Sequence, residues 1–104
     1  MTFGYLGVMV HESEVWTFER ENPSRYLGPL KGARAGLTEP RRSRIGMFIS
    51  GLLLGEVVPK KAIIFIAFSD DTRHERLVVP WINRWDWPKI ATEIGRFNLA
   101  AAAA

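Results

Sequence analysis

Residues that could carry out catalysis are few in this chain of 104 residues. There is no cysteine, and no serine lies in a nucleophile-elbow or phosphate-loop motif, so nucleophilic catalysis has no candidate residue. His11 and His74 lie in separate polar turns. The carboxylates beside them, Glu12, Asp70 and Asp71, give a spacing that matches no established metal site. The sequence therefore predicts no enzyme activity, no catalytic residue, no metal, no cofactor and no small-molecule substrate.

Three tryptophans lie close together near the C-terminal end. Trp81, Trp85 and Trp87 fall within one short segment, and Arg84 lies among them. One or two of these rings can pack between a helix and a sheet, but so short a linker cannot readily bury all three. Trp and Arg are enriched at interface hot spots, and Trp also favours membrane interfaces. We predict a partner-binding surface formed by Trp81, Arg84, Trp85 and Trp87.

Positive charge is concentrated in the middle of the chain. The net charge is +3, but residues 1–24 hold four glutamates against one arginine, whereas residues 25–61 hold eight basic residues against two glutamates. Such a block attracts phosphates, lipid headgroups or an acidic partner, or it simply keeps the surface solvated. The predicted basic patch is Arg41, Arg42, Arg44, Lys60 and Lys61.

The apolar residues 45–58, IGMFISGLLLGEVV, lie inside this basic block. They are too few to span a bilayer, which takes about 20 residues. Glycines at three positions disfavour a helix, so the favoured interpretation is an internal strand or a bent hairpin. The alternative is a loop that inserts into a membrane or a partner's groove. Its apolar tip would be Phe48, Leu52 and Leu53.

Nucleic acid is a weaker candidate partner. The isoelectric point is about 9.7, and phosphate contacts need only clustered arginines. Base stacking, however, needs aromatic residues interleaved with the basic ones, and the tryptophan cluster lies about 40 residues away from Arg41. The sequence also contains no known nucleic-acid-binding motif.

The elements that must position these residues are short strands followed by one helix. Trp16, on the second strand, is expected in the core. The uniformly apolar run from Ala62 to Phe68 predicts burial on both faces. Turns are expected at residues 11–14, 21–24, 31–32 and 69–72. The predicted strands are Tyr5 to Val10, Val15 to Phe18, Arg25 to Leu30, Ala33 to Thr38, Ala62 to Phe68 and Glu75 to Val79.

A single amphipathic helix is predicted from about Asp86 onward. Ile90, Ile94 and Phe97 recur at i, i+4 and i+7 and form one apolar stripe. Glu93 is assigned to the opposite, charged face, where it would pair with a basic neighbour. Those neighbours are Lys89 and Arg96.

Several segments resemble the bacterial PH-like domains, small pleckstrin-homology-fold proteins of actinobacteria and their phages. The resemblance is carried by the segment YLGPLKGARA at residues 26–35, by Arg44 before GLLLG at 51–55, and by Lys60-Lys61 before an apolar strand. It extends to Val78-Val79-Pro80 and to IGRFN at 94–98. The segment WINRWDW at 81–87 departs from the family's plain polar connection.

The resemblance implies a mainly β fold, a PH-like antiparallel barrel or orthogonal sandwich of about seven strands capped by one C-terminal helix. We expect one domain over residues 1–99, followed by an alanine tail at 100–104. Eukaryotic PH domains bind phosphoinositides through a basic first loop, but residues 11–14, HESE, are acidic here.

The sequence thus favours a non-enzymatic interaction module, an adaptor or accessory subunit that binds a larger protein assembly. The alternative is a peripheral binder of anionic lipid headgroups through residues 41–61. The N-terminus lacks a basic region and a cleavage site, and there is no cysteine, so we expect a cytoplasmic protein; under the alternative function it would lie at the inner face of the membrane.

Overall fold

The computed structural model describes residues 1–38, 62–78 and 87–104. These residues form seven strands and one C-terminal helix, whereas the residue pattern predicts six strands and the family resemblance implies about seven. The strands are β1 (Thr2–Phe3), β2 (Val8–His11), β3 (Glu14–Glu19), β4 (Asn22–Pro29), β5 (Arg34–Thr38), β6 (Ala62–Ala67) and β7 (Arg73–Val78), and the helix is α1 (Trp87–Ala103).

The strands form two antiparallel sheets. One sheet has four strands in the order β1-β2-β3-β4, and the other has three in the order β5-β6-β7. Side chains from both sheets and from α1 share one buried cluster. Of the two architectures expected from the sequence, the sandwich is therefore observed, because no described strand joins the two sheets into a closed barrel.

The first strand predicted from the sequence corresponds to β2, and β2 is shorter than predicted because two glycines turn the chain before it. Gly7 has φ +72°, and its N–H donates to the carbonyl of Gly4 at 3.3 Å. The turn that they form moves the start of β2 from Tyr5 to Val8.

The two hairpins that follow have turns of two residues. Glu12 and Ser13 both have positive φ, as a tight hairpin with a right-handed strand twist requires, and this turn was predicted. The second turn is Arg20-Glu21, one residue earlier than predicted. Residues 22–24 therefore belong to β4, and Asn22 pairs with Glu19.

The helix packs on the sheets through the stripe that its sequence predicts. Ile90 and Phe97 are fully buried, and Ile94 is nearly so. The ring of Phe97 meets that of Phe3 edge-to-face, with 5.4 Å between the centroids. The helix continues through the alanine run, and Ala101 is buried in the core. Within the described residues, no helix is long and apolar enough to cross a membrane.

Glu93 is buried in the structure, so its assignment to the charged face of the helix is wrong. Its side chain points to the sheets, and Oε1 accepts the backbone N–H of Leu6 at 2.9 Å. The turn before β2 leaves that N–H without a strand partner, and the carboxylate supplies the acceptor. Glu93 therefore anchors α1 to the β1–β2 turn.

Trp16 is not a core residue, contrary to the prediction. Successive strand residues face opposite sides of a sheet, and on β3 it is Val15 that faces the core, with no exposure. Trp16 lies on the outer face, partly buried, with its ring edge-to-face on that of Tyr26 at 5.3 Å. Its indole N–H is buried and has no hydrogen-bond partner in the described part of the chain.

The prediction for the apolar strand β6 is confirmed at its centre. Ile64 and Ile66 face the core, and Phe65, on the opposite face, is also buried. The guanidinium of Arg73 lies 4.1 Å from the centroid of the Phe65 ring and covers it. Ile63 and Ala67, toward the ends of β6, are partly exposed.

Two glycines should respond in opposite ways to alanine. A Cβ on Gly28 would lie 2.5 Å from Cδ1 of the buried Phe68, so Gly28→Ala should destabilise the fold by about 1–3 kcal/mol. A Cβ on Gly95, in α1, meets nothing within 4 Å, so Gly95→Ala should stabilise it by about 1 kcal/mol. Urea unfolding of the two variants measures both changes. Equal effects would contradict the packing of Phe68 on Gly28.

Candidate functional site

The edges of the two sheets differ in how they are protected. In the four-stranded sheet, β1 has only two residues. At the opposite edge, β4 contains Pro23 and Pro29 and has two irregularities in its register with β3. Short strands, prolines and bulges all hinder the addition of another strand. The edges of the three-stranded sheet, β5 and β7, are built differently.

The edge of β5 is closed at Ala35 by a side chain of the helix. Ala35 N–H donates to Oδ1 of Asn98 at 2.7 Å, and Asn98 Nδ2 donates to the carbonyl of Ala35 at 3.1 Å. In an antiparallel ladder, alternate residues direct both peptide groups away from the paired strand. Asn98 thus takes the place that a neighbouring strand would occupy.

On β7 the outward-facing peptide groups follow from the register with β6. Phe68 N–H donates to the carbonyl of Thr72 at 2.9 Å, and this hydrogen-bonded pair sets the alternation along the hairpin. His74 and Arg76 therefore direct their peptide groups to β6. The peptide groups of Arg73, Glu75 and Leu77 point away from it, and we call this row the β7 edge. None of the described strands pairs with it.

The outer face of β7 carries one ion pair and one exposed apolar side chain. Arg73 Nε lies 2.9 Å from Glu75 Oε1, and both side chains are partly exposed. Leu77 is 53% exposed. Arg73, Glu75 and Leu77 are all exposed residues.

The inner face of β7 carries two basic side chains. His74 and Arg76 pair with Ile66 and Ile64, which are core residues, so all four project toward the other sheet. Arg76 Nη1 donates to the carbonyls of Gly4 and Tyr5, at 3.4 Å each.

These side chains line a groove of about 410 Å³, which we call the cationic groove. Gly7 makes room for Arg76, because a Cβ on Gly7 would lie 2.7 Å from Nη1. The lining residues are Gly4, Gly7, Thr17, Phe18 and residues 74–76.

The surroundings of His74 in this groove lower the pKa of its imidazole. Partial burial lowers its pKa, and the positive charges of Arg25 and Arg76 lower it further. Arg25 lies on β4 beside the groove, and its backbone N–H donates to Thr17 Oγ1 at 3.0 Å. Because the folded pKa lies below the ordinary value of about 6.5, the neutral imidazole favours folding above that pH, and this stability is lost as the pH falls. Positive charges from both sheets thus act on this groove, which Glu75 also lines.

The β7 edge has the features that suit the binding of an extended chain. Backbone donors and acceptors in a row suit the addition of a strand. Within residues 1–38, 62–78 and 87–104, no group of three or more His, Asp or Glu side chains is placed to hold a metal. Asp70 is engaged in its own turn, where Oδ1 accepts the hydroxyl and the N–H of Thr72, and these bonds lower its pKa.

The site residues predicted from the sequence lie outside the described residues. Trp87 is the first residue of α1, but its side chain is outside the described part as well. Their predicted roles therefore stay predictions. They are Trp81, Arg84 and Trp85, the basic residues Arg41, Arg42, Arg44, Lys60 and Lys61, and the apolar residues Phe48, Leu52 and Leu53.

Sequence reasoning missed the residues that form the observed edges. The helical pattern did not single out Asn98, because such a pattern does not show which polar side chain will contact a strand. The segment RHERL at residues 73–77 did hold a signal, because it has charged residues at both alternating sets of positions. Inward-pointing charges are typical of edge strands.

Removing the Asn98 side chain should open the β5 edge. Asn98→Ala leaves both peptide groups of Ala35 without a partner and should cost about 1–3 kcal/mol. Leu99→Ala, at the next position and 73% exposed, should change the unfolding free energy by less than about 0.5 kcal/mol. Urea unfolding measures both. If the two variants were equally stable, Asn98 would not be closing the edge.

Comparison with protein-family models, curated proteins and solved structures found no match. The resemblance to PH-like domains therefore stays a prediction.

Proposed function

We propose that this protein is a non-enzymatic interaction module, an adaptor or accessory subunit of a larger protein assembly, that binds an extended segment of its partner along the β7 edge. The supporting observation is the contrast between two edges of one sheet. Asn98 occupies the outward peptide groups of Ala35 on β5, whereas none of the described strands pairs with those of β7. A partner strand would gain main-chain hydrogen bonds to Arg73, Glu75 and Leu77.

The tryptophan segment fits the same proposal. Trp81, Arg84 and Trp85 follow Val78, the last residue of β7, closely in the chain. We keep them as predicted contacts, because aromatic and arginine side chains give an interface its strongest anchors. The alternative function, binding of anionic lipid headgroups through residues 41–61, depends on residues outside the described part.

A selection of displayed peptides tests the proposal. Random eight-residue segments would be selected on the full chain and then measured on Glu75→Pro, which removes one N–H from the β7 edge and no hydrogen bond to β6. We expect the selected segments to bind Glu75→Pro at least about tenfold more weakly, a loss of about 1.4 kcal/mol. Leu99→Ala serves as the control and should bind them as the unaltered chain does.

Two results would overturn the proposal: no segment is enriched, or the enriched segments bind Glu75→Pro as tightly as the unaltered chain. Vesicle sedimentation provides the test of the alternative. Pelleting with anionic but not neutral vesicles, abolished by high salt, would instead support lipid binding, because salt screens such contacts.

A further inference from the structure

The two basic side chains under the β7 edge restrict which segments can pair with it. A strand added beside β7 would place every second side chain on the inner face, next to His74 and Arg76. Directly opposed residues on neighbouring strands have Cβ atoms about 5 Å apart, so like charges there repel and opposite charges attract. A basic segment is therefore disfavoured, and the edge is selective for acidic ones.

A second positive charge, besides that of Arg76, reinforces this selectivity. Arg25, on β4, acts on His74 from the other sheet, and its N–H is bonded to Thr17, which lines the groove. A guanidinium has five N–H donors, and within the described part of the chain both hydrogen bonds of Arg76 come from Nη1. The other donors on Arg76 give a carboxylate a charge-assisted hydrogen-bond partner.

The inner face of β7 has the spacing to recognise two carboxylates. His74 and Arg76 are two residues apart on one strand, about 7 Å along it. Two side chains of a paired segment have the same spacing when one residue separates them. That intervening residue would lie opposite Glu75, where a third carboxylate would be repelled.

We infer that the segment bound along the β7 edge carries two acidic residues separated by one non-acidic residue, and that their carboxylates enter the cationic groove beside His74 and Arg76. This inference rests on the proposed function and specifies the partner's chemistry. The groove, of about 410 Å³, holds the carboxylates, and the backbone of β7 supplies the pairing.

Three synthetic peptides test this inference. Each is a capped nine-residue peptide of valine and threonine that differs only at two central positions one residue apart, which are both glutamate, both glutamine or both lysine. Each peptide is titrated into the isotope-labelled full chain, and NMR follows the amides of Arg73, Glu75 and Leu77. The glutamate peptide should bind at least about tenfold more tightly than the lysine peptide, because Arg76 and Arg25 attract the carboxylates and repel the ammonium groups.

Three variants locate the source of that preference. Arg76→Gln and Arg25→Gln should each reduce the glutamate-over-lysine ratio by at least about threefold. Lys89→Gln, which removes one positive charge from the exposed side of α1, should leave the ratio unchanged. Arg25→Gln keeps the test decisive if Arg76→Gln fails to fold, because Arg76 also holds the β1–β2 turn. Bound glutamate peptide should also raise the pKa of His74, and the lysine peptide should not.

The outcomes separate this inference from the proposed function. Equal binding of all three peptides at the β7 edge would overturn the acidic preference and leave strand addition standing. A preference that survives in Arg25→Gln and Arg76→Gln would overturn the role of the groove. If no peptide shifts the three edge amides, strand addition itself fails.

Discussion

His74→Pro should destabilise this protein by about 3 kcal/mol or more, whereas Glu75→Pro, one residue along the same strand, should cost about 1 kcal/mol. The N–H of His74 points to Ile66 on β6, so proline there removes a ladder hydrogen bond and leaves a buried carbonyl unpaired. The N–H of Glu75 points away from β6. Proline at Glu75 disturbs only the backbone angle and the exposed ion pair with Arg73.

Urea unfolding of the two proline variants measures this difference directly. His74→Ala is the matched control, because it removes the imidazole but keeps the N–H, and subtracting its effect isolates the peptide group. The prediction depends only on the register of β6 with β7 and not on any partner. Equal losses in the two proline variants would mean that the β7 edge does not face away from β6.

Glu93→Ala should cost about 2–4 kcal/mol, although a helical-wheel argument would treat the position as surface. The variant leaves the Leu6 N–H buried without an acceptor and removes a charge-assisted hydrogen bond of 2.9 Å. It also detaches α1 from the β1–β2 turn, so that turn should become more exposed to solvent. Hydrogen exchange at Leu6 should therefore accelerate in the variant beyond the change in global stability.

Glu93→Gln provides the control, since an amide oxygen can still accept the Leu6 N–H. It should retain most of the stability, with a loss of about 1 kcal/mol for the weaker neutral bond. Lys89→Ala, exposed on the same helix, should change stability by less than about 0.5 kcal/mol. An unfolding free energy for Glu93→Ala close to that of Lys89→Ala would contradict the anchoring role of the carboxylate.

The local elements were largely predictable because local rules create them. The stripe of Ile90, Ile94 and Phe97 recurs at the helical period, and all three side chains are buried against the sheets. The apolar run around Phe65 predicts a strand buried on both faces, and β6 is the central strand of its sheet. Turn residues placed the hairpin at residues 11–14 correctly.

Errors arose where the outcome depended on the partner of a residue. The helical pattern predicts that Glu93 lies on the charged face. In the structure its carboxylate is buried, because it accepts the backbone N–H of Leu6, which has no strand partner. Strand propensity put Trp16 in a strand, but propensity does not say which of two faces is buried. That choice was set by Val15, which reaches the core on the other side.

The sequence by itself determined most of the strand segments, the C-terminal helix and its buried stripe, because periodicity and turn residues act over a few neighbours. Only the tertiary structure decided which sheet edges are closed. Asn98 and Ala35 are 63 residues apart, and Arg76 and Gly4 are 72 apart. Contacts of that range depend on how the sheets and helix pack. The first closes the edge of β5 at Ala35, and the second holds the Arg76 side chain on the inner face of β7.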